Sequence, residues 1–321
     1  MMIGLHLPMI AEFATMLSGP LTPADIVRGL KNLPSSPRVV PRLKELLGDA
    51  NSSMDEIVAL VRLDPGIAAR VLVTANSAYF SMGARCTTVE QAVKRVGYDR
   101  IYELVSYAVA SQVLVRPVEA YGIEADDLWR MSVACALAAD ALAEHMLQDR
   151  SVAYTIGLLH AVGMVAIDEW ALRAGKKVFF KTRGFPREAV EAERAVLGFT
   201  QADAGAALLE SWEFPRAMSE PVRTQYAPRA TVAYAPMASL LLGAKWIRSA
   251  VCVPSLEQRP PLPEEALLAP LGLAPVDLEA LAIEVAERLQ SVSSLLDTRG
   301  VAKAGGARHR FPTQDWHRAV A

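Results

Sequence analysis

The feature that most constrains this chain is a recurring helix-start signal: a capping side chain followed by proline, or by an acid or amide three positions on, ahead of apolar residues spaced three and four apart. Thr22-Pro23-Ala24-Asp25 supplies a hydroxyl cap, a proline at the first helical position and a carboxylate where the helix dipole favours it. After the proline-bearing break Leu33-Pro34-Ser35-Ser36-Pro37, residues Val39, Val40, Leu43, Leu46 and Leu47 keep helical spacing until Gly48-Asp49. Ser53-x-x-Glu56 and Thr88-x-x-Gln91 read as capping boxes, the second leading to Ala92, Val93 and Val96 with Gly97 as stop. Asp64-Pro65 restarts the chain on a helix that runs through Ile67, Val71 and Leu72 towards Asn76. The period-two alternation of half-buried strands is almost absent, so the expected class is all-α.

A further apolar helix is predicted from Asp99 to about Val115, ended by Arg116-Pro117, and a lobe boundary falls there. Asp126 or Asp127 is expected to cap a long helix carrying Leu128, Met131, Cys135, Ala138 and Leu142. Val152 to Trp170 reads as one central, almost wholly apolar helix, followed by helices over Ala202 to Trp212 and Ala233 to Arg248. Pro254, Pro260, Pro261, Pro263, Pro270 and Pro275 argue for a linker. Beyond it Leu278, Ala282, Val285, Leu289, Val292 and Leu296 form a short heptad stripe, suited to docking on the body or to pairing with a second copy. The expected organisation is an N-terminal helical lobe over 20–117, a second lobe over 118–250, a linker over 251–276, a helix over 277–298 and a tail over 299–321.

With 52% hydrophobic and 21% charged residues, 321 residues can bury a sizeable core. The longest apolar stretches are broken by charge or proline before the roughly 18 residues a membrane span needs, and the first ten residues carry no Lys or Arg, so a cytoplasmic location and no membrane partner are expected. Cys86, Cys135 and Cys252 are far apart and read as buried hydrophobes, not a metal or redox motif. A net charge of -2 gives no global attraction to nucleic acid.

The run Leu33-Pro34-x-x-Pro37, then Asp64-Pro65-Gly66-Ile67-Ala68-Ala69-Arg70-Val71-Leu72, then Ala75-Asn76-Ser77-Ala78-Tyr79-Phe80, closely resembles the opening of HDOD domains, the HD-related output domains. Thr88-Val89-Glu90-Gln91-Ala92-Val93, Trp129-Arg130-Met131-Ser132, Gly157-Leu158-Leu159-His160-Ala161-Val162-Gly163 and Ala204-Gly205-Ala206-Ala207-Leu208-Leu209 continue the resemblance, which covers roughly residues 25 to 250. It implies a multi-helix fold with an N-terminal lobe and an HD-like second lobe, and a role as an output module of bacterial signal transduction. Without the family, Asp64, Pro65, Asn76 and Ser77 read as capping residues and Tyr79 and Phe80 as anchors of the next loop in a hydrophobic slot.

Catalytic HD phosphohydrolases, which the second lobe also resembles, hold a metal with a His, a His-Asp pair and a further Asp, because imidazoles and carboxylates fix an ion that acidifies a bound water. Here the resemblance places Met131 at the first position and His160-Ala161 at the doublet, and Leu242-Gly243-Ala244 offers no acid at the last. His6, His309 and His317 lie at the ends, leaving His145 and His160 within the body, while Asp140 and Asp168 read as solvated or capping acids. No metal, cofactor or catalytic residue is therefore expected. His160 reads as a buried histidine bonded to a backbone carbonyl, with Trp129 and Arg130 beside it as the candidate pocket.

The expected function is a non-catalytic signalling adaptor that binds a partner protein. A second class is a nucleotide or other small-molecule sensor using the HD-like pocket, with Lys176, Lys177, Lys181 and Arg183 as a candidate basic cluster; a metal-dependent phosphohydrolase is a lesser alternative. Nucleic-acid binding through Arg299, Lys303, Arg308, Arg310 and Arg318, interleaved with His309, Phe311 and Trp316, is a third class, weak for want of clustered charge.

Overall fold

The computed structural model describes residues 21–28, 30, 39–47, 49, 51–80, 83–97, 100–103, 117–180, 189–226, 234–252, 260–261 and 268–297. Helices α1 (Pro23–Val27), α2 (Val39–Leu47), α3 (Met54–Arg62), α4 (Pro65–Asn76) and α5 (Val89–Val96) make up the first half. They are followed by α6 (Ala125–His145), α7 (Arg150–Leu159), α8 (Val162–Arg173), α9 (Val190–Leu197), α10 (Gln201–Ser211), α11 (Arg216–Arg223), α12 (Ala235–Val251) and α13 (Pro275–Asp297). Single 3-10 turns sit at Glu119–Tyr121 and Ala269–Leu271, and the described residues hold no strand, only one isolated bridge between Val118 and Ile123. The fold is all-α.

Local chemistry sets most helix starts. Thr22 with Asp25 and Ser53 with Glu56 form complete capping boxes, and Asp64 accepts from Ile67 N at 2.8 Å ahead of Pro65. Thr88 accepts from Gln91 N, but the Gln91 amide reaches back one residue further, to Thr87 N at 2.9 Å. Gly97 stops α5 at φ 84°, a conformation a side chain would strain. The Asn76 amide pairs with the Cys86 backbone in both directions, at 3.0 and 2.7 Å, and the Ser77 hydroxyl donates to Thr74 O. The loop after α4 is thus fixed by the amide and not by Tyr79, which is 88% exposed; Phe80 alone packs inward, edge-on to the Tyr79 ring.

Helix α6 is the axis of the second half, buried on nearly all sides against α7, α12 and α13. Its cap is Glu124, which makes no side-chain bond; Asp126 and Asp127 lie inside the first turn, where the dipole rather than a cap bond accounts for them. Residues 150–173 reach the length and hydropathy of a membrane span, yet 89% of that window is buried within the fold and the stretch is two helices, not one. The break at His160-Ala161 lets α8 meet α10 so closely that a Cβ on Gly163 would lie 1.8 Å from Gln201 O.

The two halves share one hydrophobic core. Helix α1 packs on α8 and α10; the Trp129 indole donates to Leu63 O at 3.0 Å, and the Tyr154 hydroxyl to Arg62 O at 3.2 Å. The heptad stripe of α13 is used within the chain: Leu278, Ala282, Val285, Leu289 and Val292 are buried on α6 and α12. Leu268, Leu271 and Leu273, in the proline-rich stretch, are buried as well. Asp140 and Asp168, expected as solvated or capping acids, are both buried with partners: Asp140 takes Arg150 in a two-pronged pair and Arg288 of α13, and Asp168 accepts from the backbone Ala120 N. Of the helix predicted over Asp99 to Val115, residues 99 and 104–115 lie outside the described residues, as do 253–259 and 262–267 of the linker and the whole tail.

Candidate functional site

The segment Gly157-Leu158-Leu159-His160 ends α7, and the histidine turns its ring back along the helix. Nδ1 lies 2.7 Å from Gly157 O and Nε2 lies 2.7 Å from Nη1 of Arg248 on α12. A carbonyl oxygen only accepts and a guanidinium only donates, so Nδ1 carries the proton and the Nε2 lone pair accepts from Arg248. His160 is fully buried, and burial, then the Arg248 charge and to a lesser degree Lys245, hold its pKa well below the usual histidine range, against a smaller opposing pull from Gly157 O. The ring is neutral and both nitrogens are engaged.

The polar contacts continue outward from there. Gln225 donates to His160 O at 3.2 Å and to Val222 O at 2.9 Å, and the Lys245 ammonium donates to Gln225 O while lying 3.5 Å from the centre of the Tyr226 ring. The Tyr226 hydroxyl meets the Gln201 amide at 2.6 Å. Gln201 N and the Tyr121 hydroxyl each donate to the carboxylate of Glu193 at 2.8 Å. Burial and the adjacent Glu193 charge push the Tyr121 phenol well above its ordinary pKa, so it stays a donor. Helices α7, α9, α10, α11 and α12 thus converge on a buried polar seam.

A divalent metal does not fit this seam. Met131 and Ala161 are buried and offer a thioether and a methyl, poor partners for a hard cation, and the His160 lone pair faces a guanidinium that would repel one. Among the described residues no three His, Cys, Asp or Glu side chains cluster as a metal site. Gly243 and Ala244 are buried on α12, and neither carries an acid. His145 is exposed at the end of α6, and burial pushes the Cys252 thiol up to about 11.

The other candidate residues do not converge on His160. Trp129 points its indole at Leu63, and Arg130 is exposed, its backbone oxygen facing Cys252 Sγ at 3.9 Å. Asp64, Pro65, Asn76, Ser77, Tyr79 and Phe80 belong to the α4 end of the first half. Lys177 is exposed and Lys176 partly buried after α8, while Lys181 and Arg183 lie outside the described residues. Sequence reasoning missed Arg248, Lys245, Gln225, Gln201, Glu193 and Tyr121. One signal for two of them was available: a lysine and an arginine inside the Leu- and Ala-rich α12 cannot both reach solvent, and buried cations require partners.

Comparison with known proteins follows the same outline. The HDOD domain model matches residues 33–228. An uncharacterized protein of Treponema pallidum (strain Nichols) is 26% identical over 223 residues, covering 67% of this chain and 42% of that protein, so this chain spans under half the length of that relative. Among solved structures, the MmoQ response regulator of Methylococcus capsulatus has a TM-score of 0.59 at 21% identity, covering 79% of this chain and 99% of that one. A virulence factor of Campylobacter jejuni has a TM-score of 0.61 at 17% identity, covering 83% and 96%. At such identities the likeness is one of fold.

Proposed function

The chain belongs to the HDOD family, and from that premise we propose that it is a non-catalytic output module of signal transduction that acts by binding a partner protein. The observation that carries this reading is the His160–Arg248 contact: the one histidine retained from the HD doublet gives its lone pair to a buried guanidinium at 2.7 Å. A metal ligand needs that lone pair free and a neighbouring charge that attracts the ion. Met131 and Ala161 add no replacement donor. What the seam does supply is rigidity, because hydrogen-bonded buried groups fix the relative placement of α7, α11 and α12. A rigid helical body that presents surface to another protein is the use this chemistry fits best.

The test is metal content of the purified protein by mass spectrometry, with hydrolysis of a panel of nucleotides and phosphodiesters in added Mn²⁺ or Mg²⁺. The expected result is neither stoichiometric metal nor turnover. Turnover abolished by His160→Ala would overturn the reading in favour of a phosphohydrolase. Saturable nucleotide binding without turnover, lost on charge reversal at Lys176 and Lys177, would favour a sensor.

A further inference from the structure

Helices α6, α8 and α10 of the second half finish by their own geometry. Each runs into a residue in the left-handed region, Leu147 at φ 53°, Gly175 at 60° and Glu213 at 62°. The next amide folds back onto the carbonyl five residues earlier: Gln148 N on Ala143 O at 2.8 Å, Lys176 N on Ala171 O at 2.8 Å and Phe214 N on Leu209 O at 3.0 Å. This turn satisfies carbonyls that a helix end otherwise leaves open. Leu147 and Glu213 adopt it although a Cβ disfavours a positive φ.

Helices α1 and α3 of the first half end differently. Their cap residues, Arg28 at φ -58° and Leu63 at φ -86°, stay out of the left-handed region. At α3, Leu60 O and Val61 O are taken by the amides of Leu63 and Asp64. The next two carbonyls go to the second half: the Tyr154 hydroxyl of α7 donates to Arg62 O at 3.2 Å, and the Trp129 indole of α6 to Leu63 O at 3.0 Å. At α1, Arg173 in the last turn of α8 donates to Arg28 O at 2.9 Å and to Ile26 O at 3.4 Å. Trp129 and Tyr154 are buried, and Arg62 lies 4.4 Å from the centre of the Tyr154 ring while pairing with Glu90 of α5 at 3.1 Å. Burial pushes the Tyr154 phenol up to about 12, so it keeps its proton and remains a donor.

We propose that this asymmetry makes order in the first half conditional on the second: α1 and α3 keep their last turns only while α6, α7 and α8 are docked against them, whereas α6, α8 and α10 close without the first half. A buried carbonyl left without a donor is costly, so the end of α3 frays when Tyr154 and Trp129 withdraw. The corner between α3 and α4 follows, because Asp64, next in the chain, is the cap of α4. The far ends of α4 and α5 close within the first half, on Ser77 and Gly97, so α1, α3 and that corner are the parts released. Segments that open below the free energy of global unfolding are the ones a binding event can order or release. A shift of α7 or α8 is thereby converted into loss of order in α1 and α3, and a disturbance of the first half does not travel equally the other way. The device works in the same manner whether the chain is an adaptor, a sensor or an enzyme.

Hydrogen exchange of the full chain, followed by mass spectrometry, is the test. Tyr154→Phe keeps the ring beneath Arg62 and removes only the hydroxyl, so exchange in residues 58–66 should speed up at least about tenfold more than exchange in α6 and α10. Arg173→Met should speed up residues 23–28 by about threefold, a smaller effect because that contact lies nearer solvent. Asp64→Ala loosens the first half from its own side and should speed up α3 and α4 while leaving α6, α8 and α10 unchanged. No local acceleration in Tyr154→Phe means that the apolar core alone holds the end of α3, and acceleration spread evenly over both halves means a general loss of stability; either result overturns the device. Acceleration of α6, α8 and α10 by Asp64→Ala as large as that of α3 means that the halves open as one unit, which overturns its direction. Residues 23–28 unchanged in Arg173→Met remove α1 from it.

Discussion

Around α4 the buried polar side chains find their partners nearby in the chain: Asp64 meets Ile67 three residues on, and Asn76 meets Cys86 ten residues on. Around His160 the partners arrive from 65 residues away in Gln225 and 88 in Arg248, and Asp140 reaches 148 residues to Arg288. The same requirement, that a buried polar group find a partner, is met by local geometry for Asp64 and Asn76 and by helices remote in the chain for the Nε2 of His160. A local cap survives small shifts of the rest of the fold. A seam built from five helices does not, so the second half should be the more sensitive to single changes.

The comparison is broken most severely at glycine. Gly163→Ala would drive a Cβ into the Gln201 backbone, so we expect a loss above about 4 kcal/mol or no soluble folded protein. Gly97→Ala, at φ 84° with open space around it, should cost only about 1 kcal/mol. Urea denaturation midpoints of the two variants check both numbers. Equal costs would mean that the α8–α10 approach is not as tight as the packing indicates.

Next in size is Asp140→Ala, which leaves Arg288 and Arg150 facing a vacated buried partner. A loss of about 3–5 kcal/mol and detachment of α13, seen as faster proteolysis within residues 253–297, are expected. A third measurement uses pH. The folded His160 resists protonation while the unfolded chain takes up a proton near 6.5, so below that pH the unfolded state binds more protons and stability falls as pH falls. The slope for this one group is at most about 1.4 kcal/mol per pH unit. In His160→Gln, melting followed from pH 7 to 5 should lose that component; an unchanged slope would mean that His160 titrates freely. A smaller effect than Asp140→Ala is expected for Asp64→Ala, about 1–2 kcal/mol in urea, because the cap bond to Ile67 N is removed.

The residues that misled are as informative as those that did not. Tyr79 was read as an anchor because aromatic side chains usually bury, but the Asn76–Cys86 pairing fixes the turn and leaves the ring outside. The stretch Val152 to Trp170 reads as one helix because apolar composition carries no mark of a break; nothing local at His160-Ala161 resembles a stop. The His160 burial and its carbonyl partner follow from its apolar surroundings, whereas Arg248 was invisible as its neighbour because nothing in a helix 88 residues away states which histidine it faces.

The amino-acid sequence by itself determined the all-helical class and the starts of α1, α3, α4 and α5. Helix ends must satisfy their free N–H and C=O groups with side chains a few residues away, so that information is written locally. Only the tertiary structure decided the break between α7 and α8, the docking of α13 and the His160–Arg248 contact. Each depends on distances between helices remote in the chain, and those distances are set by the packing of the whole core, which no single stretch of residues encodes.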